Sequence, residues 1–125
     1  MEPEDYLYVY FKLLSTATKY DNTTDRVIVY EASKDSKFNK LIEKYGEEHF
    51  SNVLKSLVNE MINEGVLLGQ RAKPSNVISG VSPIGYMILA KSKDNNFMSK
   101  LKKSAPKWAF NTITSIIVSL VSGAL

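Results

Sequence analysis

Cysteine is absent from the 125 residues, and histidine occurs once. Without thiols there is no disulfide, no thiolate nucleophile and no cysteine-ligated metal, a pattern that fits a reducing compartment, so the expected location is the cytoplasm. The single histidine, His49 between Glu48 and Phe50, offers neither a metal cluster nor a catalytic triad and reads as a surface residue. A large charge of one sign is also missing. Sixteen Lys and Arg stand against thirteen Asp and Glu, a formal +3 with a pI near 9.0, which favours anionic partners only weakly. Gly65, Gly69, Gly80 and Gly85 lack the spacing of a phosphate-cradling loop. Glu43, Glu47 and Glu48 have no nucleophile or charged partner beside them in the chain. The reading is therefore of a protein that is not an enzyme, with no cofactor and no metal. There is no internal repeat, and the acidic start Glu2-Pro3-Glu4-Asp5 argues against a secretory signal.

What is present is enough apolar side chain for one domain's core, 44% of the residues. After the acidic start, with Pro in the first turn, Leu7, Tyr10, Phe11 and Leu14 repeat at helical spacing and predict a helix ending near Lys19. The polar run 21–25 predicts a loop, and the β-branched run Arg26-Val27-Ile28-Val29-Tyr30 a short strand. Ser33 is placed to cap a second helix carrying Phe38, Leu41, Ile42 and Tyr45, stopped by Gly46. Glu47-Glu48 open a third helix with the stripe Phe50, Val53, Leu54, Leu57, Val58, Met61 and Ile62, ending at Gly65. Two extended runs, 66–71 and 76–81, flank Lys73-Pro74-Ser75 and predict a hairpin. Ser82 and Pro83 then begin a fourth helix, interrupted at Asp94-Asn95-Asn96, resumed from Phe97 to Lys103, and broken again at Ser104-Ala105-Pro106.

Helix, strand, helix, helix, hairpin, helix is the order of a winged helix-turn-helix. The expected fold is thus mainly α with a small β-hairpin (α+β), divided into a winged-helix domain over 1–94 and a C-terminal helical extension over 95–125. The stretch Val81-Ser82-Pro83-Ile84-Gly85-Tyr86-Met87-Ile88-Leu89 resembles the "Leu-Thr-x-x-Gly-x-x-Tyr/Phe-Leu" segment that follows the wing in small winged-helix proteins of phages and Gram-positive bacteria, the YjcQ-like and related families of unknown function. Val81, Ser82, Gly85 and Leu89 match, and Ile88 replaces the aromatic. The run "NEMINEGVLLG" is similar to those families' passage from third helix into wing, and Phe97 with Lys100 and Lys102 resembles their Trp-x-x-x-Lys-x-Lys stretch. The likeness covers about residues 47–125. It implies a winged-helix fold of mobile-element type and no catalytic residue. Gly85 would let the fourth helix approach the body closely.

In that fold the polar face of the third helix would meet a duplex. Ser51, Asn52, Ser56 and Asn59 would read base or phosphate edges and Lys55 a phosphate, while Arg71, Lys73 and Asn76 in the wing would grip the backbone. Glu47 and Glu48 at the leading end oppose this, since carboxylates repel phosphates. The competing reading is a solvated helix face on a protein-binding adaptor. A stronger basic feature lies further on, where Lys91, Lys93, Lys100, Lys102, Lys103 and Lys107 face one acid, Asp94. Tyr6, Tyr8 and Tyr10 alternate near the start and read as packing residues before they read as a stacking surface.

The last eighteen residues, 108–125, carry no charged side chain. As one helix they would span about 27 Å, short of a hydrocarbon core of about 30 Å. Asn111, Ser115, Ser119 and Ser122 fall on one side of such a helix, with Ala109, Ile113, Ile116, Ile117, Leu120 and Ala124 on the other. A span surrounded by lipid needs no polar stripe, so the segregation favours one buried side over membrane insertion. That side would lie against the body or against the same helix of a second subunit; the expectation is a homodimer through this helix, with Trp108, Ile113, Ile116, Ile117, Leu120 and Ala124 at the interface, and packing within the chain is the alternative.

Overall fold

A computed structural model of the chain describes residues 1–109 and 113–123. The elements run α1 Pro3–Ala17, β1 Thr23–Thr24, α2 Asp25–Ala32, α3 Ser36–Tyr45, α4 Glu47–Asn63, β2 Leu67–Gln70, β3 Val77–Val81, α5 Pro83–Lys91, α6 Asn95–Lys103, a 3-10 turn Ala105–Ala109, and α7 Ile113–Val121. The fold is mainly helical, with one three-stranded antiparallel sheet in the order β1-β3-β2. The chain doubles back around Pro74, pairing Leu67 with Val81 and Gln70 with Val77, with a register shift between Leu68 and Gly69.

The strand expected at 26–30 is a helix. Its β-branched residues favour extended backbone locally, but α2 delivers Ile28 and Ala32, four apart, into the core on one stripe. The strand is instead the pair Thr23–Thr24, whose partners are Ile78 and Val77 of β3. Ser33 accordingly closes α2 and does not cap the next helix; its hydroxyl donates to the Tyr30 carbonyl at 2.6 Å. Asp35 is the cap of α3, its carboxylate accepting from the Phe38 N–H at 3.1 Å and from the Tyr8 hydroxyl. Gly46, at φ +87°, ends α3 and leads directly into α4, a conformation side-chain-bearing residues rarely adopt.

α1 runs through the middle of the molecule, with Leu7, Val9, Tyr10, Leu13 and Leu14 all buried. Of the three alternating tyrosines, Tyr10 is fully buried and Tyr6 and Tyr8 are half-buried, so packing claims them. The acidic N-terminus and the basic segments meet in space: Lys44 lies 2.8 Å from Asp5 and 3.4 Å from Glu2, and Lys102 lies 3.5 Å from Glu4. Hydrogen bonds from Lys44 and the Tyr45 hydroxyl hold the Asp5 carboxyl below its ordinary pKa.

Residues after 94 are not an appendage. Phe97, Leu101, Ile113, Ile116 and Ile117 belong to the same core as Leu7, Phe38 and Leu57, so the division at 94 does not separate two packing units. This also changes the reading of the tail. Ile113 and Ile117 are essentially inaccessible and Ile116 nearly so, buried within the chain itself as α7 packs on α4, α5 and α6. Of the side chains expected at a dimer interface, only Trp108 and Leu120 remain half-buried; Ala124, like Asn111 and Thr112, lies outside the described residues. Among the described residues no helix is long and apolar enough to cross a membrane.

Candidate nucleic-acid interface

The stripe of α4 points inward as its spacing predicts: Phe50, Leu54, Leu57, Val58 and Met61 are buried. Phe50 meets Phe38 of α3 edge-on, ring centres 5.2 Å apart, which locks the two helices across Gly46. The opposite face is open. Asn52, Lys55 and Ser56 are exposed and Ser51 is half-buried, so four of the five α4 residues proposed to read a duplex sit on an accessible or partly accessible face. At the leading end Glu47, Glu48 and His49 are exposed as well, with His49 6.2 Å from the Tyr45 ring. Two carboxylates in the first turn suit the positive end of the helix dipole.

The hairpin stands beside α4, and two of the residues expected to touch nucleic acid are what holds it there. The Asn76 side-chain N–H donates to the Asn59 side-chain oxygen Oδ1 at 2.9 Å, while the Asn76 Oδ1 accepts from the Ala72 N–H at 3.0 Å. Its backbone carbonyl accepts from the Asp25 N–H at 3.2 Å. Asn76 is only 8% exposed. It is a fastener joining wing, α4 and the start of α2, and with its polar atoms so engaged it is not a base-reading group. Asn59, half-buried, shares that role. Arg71 and Lys73 are exposed at the turn. The accessible set is therefore Ser51, Asn52, Lys55 and Ser56 on the helix with Arg71 and Lys73 on the wing.

On the far side of the hairpin, Ser82 joins it to α5. Its hydroxyl donates to the Val66 carbonyl at 2.9 Å and accepts from the Gly85 N–H at 3.2 Å, and its own N–H also donates to Val66 at 3.1 Å. Gly85 is needed for that approach: a Cβ there would fall 2.7 Å from the Val66 carbonyl oxygen and 2.5 Å from a Val81 methyl. The packing role read from the sequence for Gly85 thus has a geometric basis.

One polar contact was not legible in the sequence. The Thr114 hydroxyl, fully buried near the start of α7, donates to the Glu60 carboxylate of α4 at 3.4 Å. Glu60 is partly buried, and desolvation pushes its pKa above the ordinary carboxylate value. The same neighbourhood holds Tyr6, whose hydroxyl is pushed up to about 12 by burial. Nothing in a one-dimensional pattern links positions 60 and 114; only the docking of α7 against α4 does.

Among the described residues no group of three or more His, Cys, Asp or Glu side chains is arranged to hold a metal ion. Compared with known proteins, the chain matches no family model, no curated protein and no solved structure.

Proposed function

We propose that the chain is a non-enzymatic winged-helix module that binds duplex DNA, with the open face of α4 in the major groove and the wing tip on the adjacent backbone. The observation that carries this reading is the sheet order β1-β3-β2 with the β2–β3 hairpin fastened to α4 through Asn59 and Asn76, which leaves a polar helix face and a basic turn side by side. A strand ahead of the helices that pairs with the second hairpin strand supports a winged-helix reading, in which α3 and α4 form the helix-turn-helix and α2 is an additional short helix between β1 and that pair. The resemblance of residues 47–125 to small phage-type winged-helix proteins supports the same reading.

In this reading Lys55, Arg71 and Lys73 meet phosphates, and Asn52 and Ser56 meet base edges. Three phosphate contacts give a log–log salt slope of about −2.7, so affinity for duplex DNA falls about 40-fold between 50 and 200 mM salt. The test is retention on duplex DNA across that range for the wild type and for an Arg71→Ala, Lys73→Ala variant, in which the slope drops to about −0.9. Absent retention at low salt, or an unchanged slope in the variant, overturns the assignment. With the apolar face of α7 used internally, dimerisation is not a premise of this proposal.

A second reading, a protein-binding adaptor on the same fold, is favoured by Glu47 and Glu48, which are exposed where a recognition helix would first approach phosphates.

A further inference from the structure

Part of the lysine-rich segment after position 91 lines a cleft of its own. α1, α3, α5 and α6 surround an open groove of about 510 Å³. Its floor is apolar, made by Leu7 and Phe11 of α1, Leu89 of α5 and Met98 of α6. Its rim carries Lys12, Lys37 and Lys102, from three different helices, with one carboxylate, Glu4, beside Lys102. A second hollow continues it past Met98 and Lys102 and adds Lys103.

The lysines are incompletely neutralised. Lys37 lies 4.4 Å above the Tyr8 ring and forms no ion pair among the described residues. Lys102 reaches Glu4 at only 3.5 Å, with both side chains largely in solvent, an arrangement worth little. Lys12 lies 3.6 Å from Asp35, whose carboxylate already accepts from the Phe38 N–H and the Tyr8 hydroxyl as the α3 cap. Three lysines thus line the groove against one carboxylate, Glu4, a fourth, Lys103, lines the adjoining hollow, and the nearby Asp35 is already engaged by the Phe38 N–H and the Tyr8 hydroxyl.

We propose that this groove docks an acidic amphipathic helix of a partner protein, its apolar side chains on the floor and its carboxylates toward Lys12, Lys37 and Lys102. Charge complementarity selects an anionic occupant, and the floor selects among anions. A phosphate backbone has nothing to place against Phe11, Leu89 and Met98, whereas leucines at i, i+3, i+4 and i+7 do. A drug-sized ligand calls for a pocket burying most of its surface, and this groove is open along its length. Met98 at the junction of the two hollows supplies an adaptable thioether contact. The groove residues are separate from the α4–wing set, so the proposal stands independently of DNA binding.

The probe is a synthetic, fluorescein-labelled, capped 14-residue peptide with leucines at i, i+3, i+4 and i+7 and glutamates flanking them, titrated with the full chain by anisotropy. Saturable binding is expected at 50 mM salt, weakened at least tenfold by Lys37→Glu with Lys102→Glu. Both side chains are exposed, and unchanged melting temperatures check that the variant folds. A charge-inverted peptide, lysine for glutamate, binds the variant better than the wild type, and a peptide with serine for leucine binds neither. Lys55→Glu with Arg71→Glu leaves peptide affinity within twofold. No saturable binding, or binding indifferent to Lys37 and Lys102, overturns the proposal. So does a groove variant that loses duplex DNA retention while the wild type ignores the peptide, which would give these lysines to nucleic acid.

Discussion

Replacing Gly85 by alanine tests the packing of the hairpin against α5. On helix propensity alone the change is favourable by at most about 1 kcal/mol, the helix-interior value, because Gly85 lies in the first turn of α5 and glycine loses more backbone entropy than alanine. The structure opposes that gain with a specific collision. The added Cβ meets the Val66 carbonyl oxygen at 2.7 Å and a Val81 methyl at 2.5 Å, and the first is backbone at the start of the hairpin, which cannot rotate away. Restoring ordinary contact requires α5 to retreat by about 0.7 Å, an overpacking displacement that costs about 1 to 3 kcal/mol. The retreat also stretches the two Ser82 bonds to that carbonyl, at 2.9 and 3.1 Å, beyond useful length, for a further loss of about 1 kcal/mol each.

Partial relaxation is shared among these costs, so the expected net destabilisation is about 1.5 to 3 kcal/mol. At about 2.1 cal/mol/K per residue that lowers the melting temperature by about 6 to 12 °C. Urea unfolding followed by circular dichroism measures it, with Gly80→Ala as the reference. A Cβ at Gly80 meets nothing within 4 Å, so that variant is expected within about 1 kcal/mol of wild type. Both substitutions restrict the unfolded chain alike, and their difference isolates the contact. A Gly85→Ala protein as stable as the Gly80→Ala protein would refute the close approach.

Three further outcomes follow from other contacts. Asn59→Ala and Asn76→Ala should each destabilise by about 1 to 2 kcal/mol, and the double variant by clearly less than their sum, because one hydrogen bond joins them; additive losses in a double-mutant cycle would deny the fastener. Glu60 has a folded pKa above its ordinary value of 4.5, so its contribution to stability is present below that value and lost as pH rises through the folded one. Glu60→Gln should therefore raise the melting temperature more at pH 7 than at pH 4, and equal shifts at both would contradict the burial. Ile117→Ala should cost about 2 to 5 kcal/mol, against almost nothing for Ser119→Ala. Chemical denaturation separates these two, and an Ile117→Ala monomer of unchanged stability would return α7 to an intersubunit role.

Long periodic segments were readable from the sequence because one geometry satisfies every residue in them. The stripe of α4 repeats over four turns, and no strand could place Phe50, Leu54, Leu57 and Met61 on one face. Ser82-Pro83 and Gly46 mark element boundaries through local chemistry, a side-chain cap and a left-handed φ, which need no distant partner. Residues 26–30 misled because five residues hold too little periodicity to outweigh β-branched propensity. The deciding facts were distant: β3 had room beside it for Thr23–Thr24, and the core had a place for Ile28 with Ala32.

The functional face divides along the same line. That Asn52, Lys55 and Ser56 lie opposite the α4 stripe follows from helical pitch, and the structure leaves them open. That Asn59 and Asn76 spend their amides on one another does not follow from pitch, because it depends on where the wing leans. The groove is less legible still. Lys12, Lys37 and Lys102 are separated by 25 and 65 positions, and each alone is an ordinary surface lysine. Only the tertiary fold, which brings α1, α3, α5 and α6 around one groove, sets them at one apolar floor. The tail divides in the same way. Its amphipathic stripe predicts one buried side, but a stripe records that a face is covered and not by what; α4, α5 and α6 of the same chain cover Ile113, Ile116 and Ile117.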